Sequence, residues 1–408
     1  MKLSRLFLIS ALTLLLLFSL SACNKTEKMP SKISENMSNE EITNTDIKQA
    51  KKRALKSASH YKDIYKNAKK TTSLNYGNQE VLNQETVDEI ENLLSEKGYP
   101  VFDSDSKYPT YLKNSDEIYA FWKDVLDKKD AAAEIISISL TGELYYTNLK
   151  FKDGKAYRID IGIGFDDKNE PTVISSSRND VEDWEMINDR EFYYQVVFPP
   201  RVPFDDYALV RLKPIDKDLY DLTLKYLLPI TYLNNNLFVT NWDQDNFGNL
   251  SFNDTFEYFY YLKTGNYFDV KNFETVKDTS FYYTKIPSKL FEDTVKPYFD
   301  VSLENFRKLS LYDSKNSFYP WQEVGCDNAP IYPDIQPEVV KKQDNNDGTF
   351  TLTVNVRCND YKTDKLFTHE VKIRPLPNGN FQYLSNIITY KSEHEMPPDR
   401  PRLPSQRK

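Results

Sequence analysis

ELYYTNLKFKDGKAYRIDIGIGF, Glu143 to Phe165, reads as two alternating strands joined at Asp153-Gly154. Alternation at a period of two puts successive side chains on opposite faces of a half-buried sheet, and Asp-Gly supplies a tight turn. The neighbours continue the pattern. EIISISL precedes it across a Thr-Gly turn, and PTVISSS follows across DDKNEP. FYYQVVF and YALVRLK add two more strands, so this part predicts an antiparallel meander. Its one Gly-x-Gly, in IDIGIGFDD, lies inside a strand, and Asp167 stands where a dinucleotide site needs a third glycine.

Working outward, helical spacing precedes the meander. Val87, Ile90, Leu93 and Leu94 share one face of a helix ended by Gly98. Ser115 is placed to cap a second, with Ile118, Phe121, Trp122, Val125 and Leu126 on one side. A helix over 217–228 and a strand over 237–240 follow. Helices are then expected over 252–263, over 288–299 with Ser288 as cap, and over 302–309. The strands DIQPEVVKKQ, GTFTLTVNVRC, LFTHEVKIRPL and NFQYLSNIITY complete the chain, turned by DNNDG and PNGN. The expected fold class is α+β, in two modules at 74–250 and 251–391. Each has helices packed on an antiparallel meander, in the plan of cystatin-like or NTF2-like folds. Residues 392–408, with PPDRPRLPSQRK, read as a proline-rich, basic, disordered tail.

The N-terminus reads as an address. Lys2 and Arg5 precede an apolar run from Leu6 to Leu20, and Leu20-Ser21-Ala22-Cys23 follows. The run is shorter than the ~20 residues a helix needs to span a bilayer. Residues 1–22 therefore fit a signal peptide, and Leu-Ser-Ala-Cys is similar to a bacterial lipobox in which Cys23 becomes a lipidated N-terminus. The plainer alternative is an ordinary signal peptide or a short N-terminal anchor that happens to contain a cysteine. Lipidation implies a cell membrane location, with the protein anchored and facing outside the cytoplasm. A polar tether spans 23–45. Residues 46–70 then form a basic amphipathic helix, with Ile47, Ala50, Ala54, Ala58, Tyr61, Tyr65 and Ala68 on one face. That helix either lies on anionic head groups or is a spacer or docked element.

Composition limits the chemistry. The chain has 408 residues, 39% apolar, with only 11 glycines and three histidines, His60, His369 and His394. Glycine-rich phosphate loops, zincin motifs and Gly-x-Ser-x-Gly elbows are absent from the sequence, and no cofactor is expected. Net charge is −8; setting aside residues 1–70, which are basic, leaves roughly −16, which disfavours nucleic acid as a partner.

Cys326 and Cys358 remain once Cys23 is set aside. In an exported protein they suggest a disulfide; two buried thiols are the alternative. His369 shares the face of Phe367, Val371 and Ile373 and reads as a core residue. In WDQDNFGNLSFND, Asp243, Asp245, Gly248, Asn249, Ser251 and Asp254 have calcium-loop spacing, although Phe247 takes a ligand position. A polar turn leading into a helix explains the same residues. The aromatics, as in FEYFYYLKTGNYF, suit a core or a sugar-stacking cleft.

The stretches LNYGNQEVLNQETVDEIENLLSEKGYPV, YPWQEVGCDNAPIYP and DGTFTLTVNVRCNDYKTDKLFTHEV resemble an uncharacterised lipoprotein family of clostridial Gram-positive bacteria. The resemblance implies a location outside a single cytoplasmic membrane and brings no catalytic residues. The resulting expectation is a non-catalytic binding or scaffolding protein at the cell envelope. Its partners would be the membrane through the lipid, and a cell-wall polymer or another envelope protein. A carboxylate-dependent hydrolase acting on a wall or glycan substrate is the alternative.

Overall fold

The alternating strands around Asp153-Gly154 become the middle of the largest sheet. The computed structural model describes residues 33–73, 79–106, 108–197, 206–277, 282–324 and 335–403. Contacts divide the chain into a unit ending at Gln49 and a compact unit from Ala50 onward, and all packing below belongs to the second. The chain is mixed α/β.

The sheet has seven strands in sequence order: β3 (Val101–Asp103), β4 (Ala131–Ile138), β5 (Leu144–Lys152), β6 (Lys155–Phe165), β7 (Pro171–Ile187), β8 (Glu191–Val196) and β9 (Asp206–Arg211). Every pairing is antiparallel except β3 with β4. β7 runs far beyond the PTVISSS read from sequence. Its first half pairs with β6 and its second with β8, with register shifts at Gly162/Ile163 and Val181/Asp183. Bulges of this kind bend a strand and raise its twist, which curls the sheet.

Both faces are covered near β4. One carries Ala133, Ile135, Leu149, Phe192 and Tyr194, packed with Ile118, Phe121 and Val125 of α4 (Asp116–Leu126). Ser115 does not cap this helix; its hydroxyl donates to the Leu212 carbonyl, and Asp116 and Glu117 supply negative charge to the first turn. The opposite face carries Ile136, Ile138, Leu144, Tyr146, Ile161 and Ile163, all buried. α3 (Gln84–Glu96) buries Val87, Ile90 and Leu94 beside β3 and β4. It is capped by Asn83 and left through Gly98 at φ +83°.

The N-terminal helix α1 spans Ile33–Ser59 and a short α2 spans Lys62–Asn67. Part of the expected tether is thus helical, and the expected basic helix breaks at His60–Tyr61. β1 (Thr71–Ser73) and β2 (Gln79–Val81) form a small ladder after it. Ala50, Ala54, Ala58 and Tyr61 are buried, as the stripe required. The Tyr61 hydroxyl donates to the Gly142 carbonyl, and the Tyr65 ring stacks on Phe165 at 4.0 Å.

The second large sheet has the order β10-β17-β16-β15-β14, all antiparallel: β10 (Trp242–Asp243), β14 (Ile335–Asp344), β15 (Phe350–Cys358), β16 (Thr363–Pro375) and β17 (Phe381–Lys391). Its core is aromatic. Phe252, Phe256, Phe259, Phe291, Phe299 and Tyr383 are buried together, with Phe291 stacked on Tyr319 at 4.2 Å. Each such ring contributes roughly 1.5–3 kcal/mol of burial free energy. The helices on this core are α5 (Lys217–Tyr226), α6 (Phe256–Thr264, led in by a 3-10 turn), α7 (Ser288–Val295) and α8 (Leu303–Leu309). Ser302 caps α8, but Pro287, not Ser288, occupies the cap of α7, because the strand Tyr282–Pro287 runs directly into that helix.

Tyr226, Ile230, Phe238, Trp242 and Leu250 pack into the same core as the second sheet. Two further features differ from the sequence reading. Leu237–Val239 are buried but not in a strand, because asparagine side chains replace the ladder. Asn235 Nδ2 donates to Ile230 O, and Asn235 Oδ1 accepts from Leu237 N. A three-stranded sheet of β11 (Thr275–Lys277), β12 (Tyr282–Pro287) and β13 (Phe318–Trp321) had no counterpart in the pattern.

Candidate functional site

The two large sheets meet through charged side chains. Arg211, at the end of edge strand β9, sends Nη2 to Glu338 Oε2 of β14 at 2.8 Å and lies 3.8 Å from Glu191 Oε1 of β8. Arg357 of β15 reaches back to the same Glu191 oxygen at 2.9 Å. Glu191, Arg211 and Arg357 are all buried, and Arg190 adds a looser contact to Glu338 at 3.6 Å. Glu191 Oε2 meets no donor among the described residues. Burial pushes the Glu191 carboxyl up, opposed by the Arg357 and Arg211 guanidiniums. Asn188 with Asp364 and Lys362 with Asp183 extend the same joint.

A cleft of about 410 Å³ opens onto this network. Arg211, Arg357 and Glu338 line it with Tyr220 of α5, Ser104 and Tyr108. A neighbouring cavity of about 290 Å³ shares Ser106, Tyr108 and Thr110 and is edged by Asp88, Glu91, Asp103 and Lys113. Lys113 is held by Glu91 at 2.6 Å, and Tyr108 donates to Asp221 at 2.9 Å. The Asp103 carboxyl is 2% exposed and pushed up by burial, opposed by the Asp105 amide and Gln84. Because guanidiniums and carboxylates neutralise one another here, the cleft offers fixed donors and acceptors of both signs. Such a surface suits a zwitterionic or hydroxyl-rich ligand better than a simple anion.

The sequence-predicted sites fare differently. Cys23 and Cys326 lie outside the described residues. Cys358 is buried at the end of β15, opposite Ile335 and Thr363. The calcium spacing does not become a calcium loop. Asp254 is buried and accepts from Arg402 through both oxygens, at 3.0 and 3.2 Å. Asp243 is exposed and its Oδ1 caps the amides of Asp245 and Asn246, the polar-turn arrangement. The Asn249 carbonyl accepts from Asn236. Among the described residues no group of three His, Cys, Asp or Glu side chains is placed to hold a metal.

His369 is fully buried between Tyr232, at 2.7 Å from Nε2, and Asn386, at 2.6 Å from Nδ1. The Asn386 amide nitrogen is committed to Thr240 O, so its oxygen faces Nδ1 and the ring is neutral with the proton on Nδ1. In FEYFYYLKTGNYF, Phe256 and Phe259 are core, whereas Tyr261 and Tyr267 are exposed and stacked on each other at 5.1 Å.

Two charged clusters were missed from sequence. One is the Arg211–Glu338–Glu191–Arg357 joint. The other is Arg402, buried with Asp254, Glu257 and the Gln322 carbonyl, within the segment expected to be a disordered tail. The available signal was arginine, the residue suited to buried bidentate pairing, at the ends of strands in a lysine-rich chain.

No helix among the described residues is long and apolar enough to cross a membrane. No curated protein and no solved structure matches the chain. Residues 47–402 match the model of a family of unknown function (DUF6070), and the chain belongs to that family.

Proposed function

We propose, proceeding from membership of a family whose function is not known, that this is a lipid-anchored protein outside the cytoplasm that binds or scaffolds at the cell envelope without catalysing a reaction. The anchor is Cys23, and the source is a clostridial Gram-positive bacterium. The reading treats each large sheet with its helices as one module, in plan like cystatin-like or NTF2-like folds. The cleft between the sheets carries the reading. Its arginines and glutamates hold one another in place, which preorganises a binding surface. A wall-derived ligand bearing hydroxyls with charges of both signs fits that lining.

Calorimetry of the lipidated full chain with soluble wall fragments tests it. Saturable binding is expected, weakened at least tenfold by Tyr108→Ala; absence of binding overturns the reading. Cys23→Ala is expected to release the protein from the membrane fraction, and unchanged fractionation refutes the anchor.

A second reading rests on Asp103, a carboxyl raised by burial and grouped with Asp88 and Glu91 around the smaller cavity. That grouping favours a carboxylate-dependent hydrolase. New reducing ends released from wall glycan, and lost in Asp103→Asn, would select it.

A further inference from the structure

α1 and α2 present exposed lysines on the side away from their buried stripe. Ala50, Ala54, Ser57, Ala58 and Tyr61 are buried, so from Ala50 onward the alanine stripe is already occupied by packing. The flanks are pinned: Arg53 pairs with Glu134 at 2.5 Å and Lys62 with Glu170 at 3.0 Å. The opposite face keeps Lys52 and Lys56 exposed at a four-residue interval, about 6 Å apart by helical rise. Lys66 and Lys69 are also exposed beyond the break.

Charge is therefore strongly polarised. A basic ridge sits on a chain whose residues beyond 70 sum to roughly −16. We infer that this ridge rests on the anionic headgroup surface of the membrane and turns the acidic body away from it. The inference rests on the lipid-anchor reading proposed above. Lys52 follows Cys23 by only 29 residues, so a lipid on Cys23 would keep the ridge within reach of the surface. Each lysine close to an anionic surface favours contact by about fivefold, an effect that fades over roughly 8–10 Å. The same field repels the body, so attraction and repulsion select one orientation. Because the ridge is polar and its apolar side occupied, the contact is electrostatic and reversible by salt.

The test reconstitutes the lipidated full chain in vesicles of neutral phosphatidylcholine, and in vesicles containing phosphatidylglycerol, and reads the rate of lysine acylation by mass spectrometry. Lys52, Lys56 and Lys66 are expected to react at least threefold more slowly on anionic than on neutral vesicles. The difference should vanish in ~0.5 M salt, where the screening length falls below the length of a lysine side chain. Lys52→Glu/Lys56→Glu should abolish the protection at Lys66 while leaving unfolding unchanged. Flotation with both vesicle types and equal acylation overturns the inference and spares the anchor. Capture by anionic vesicles alone, of protein whose mass shows no lipid, overturns the anchor and keeps the ridge. Capture by neither overturns both. Stronger protection by soluble polyglycerol phosphate than by anionic vesicles also overturns the inference, assigning the ridge to a wall polymer.

Discussion

Arg402 and Asp254 are 148 residues apart in sequence, yet the backbone amide and Nε of Arg402 both donate to the Asp254 carboxylate. Arg402 also pairs with Glu257 at 2.7 Å, and Trp321 Nε1 donates to that glutamate at 2.6 Å. A segment whose composition suggests disorder thus supplies the counter-charge for two carboxylates of the aromatic core. Burial pushes the Glu257 carboxyl up, and the Arg402 guanidinium opposes that shift.

Removing the counter-charge alone strands both carboxylates. Arg402→Met is expected to cost about 3–5 kcal/mol in urea unfolding. Adding Asp254→Asn and Glu257→Gln should recover most of it. A triple variant as unstable as the single one would show that packing, not charge, is at stake.

His369 sets an acid limit on the second core. Burial lowers its pKa from 6.5 to about 4, against the hydrogen bond that Nδ1 donates to the Asn386 carbonyl. The folded state holds the neutral ring, so its contribution is complete above the unfolded value and is lost as pH falls from 6.5 through 4. Full loss amounts to about 3 kcal/mol. Urea midpoints between pH 7 and 4 should fall further in the wild type than in His369→Gln.

The joint between the sheets responds in the opposite sense. Arg357→Met leaves Glu191 buried with less compensation and raises its carboxyl further. A raised carboxyl costs nothing below its unfolded value, and its penalty grows as pH rises from there through its folded value. The deficit, about 3–5 kcal/mol at neutral pH, should therefore shrink as the solution is acidified. Arg357→Met with Glu191→Gln should be nearly independent of pH over that range.

Gly142 reports on how α1 and α2 are held. It sits at φ +81°, and a Cβ there would lie 2.5 Å from the Tyr65 ring. Gly142→Ala is expected to cost about 2–4 kcal/mol from the left-handed backbone and the clash together. Trypsin cleavage at Lys62, Lys66 and Lys69 should accelerate, because Tyr65 must leave Phe165.

Much of the secondary structure was legible because burial imposes a period on local sequence. β4 to β6 and β14 to β17 follow alternation, and α3 follows its Val87–Ile90–Leu94 stripe. Leu237–Val239 misled because an apolar run shows burial but not whether backbone partners come from a strand or from asparagine side chains. The spacing of Asp243 to Asp254 left two readings open for a related reason: the sequence lists carboxylates without saying which way they turn. Asp254 turns inward because an arginine waits there.

The sequence by itself determined the periodicities, the alanine stripe and lysine ridge of α1, and the lipobox-like stretch before Cys23, since each is written in neighbouring residues. Only the tertiary structure decided that Arg211 meets Glu338, that Arg357 meets Glu191 and that Arg402 closes the second core. Those choices join residues far apart in the chain. Local sequence fixes which side chains must be buried or paired, whereas the partner of each charge is selected by the whole packed core that brings them together.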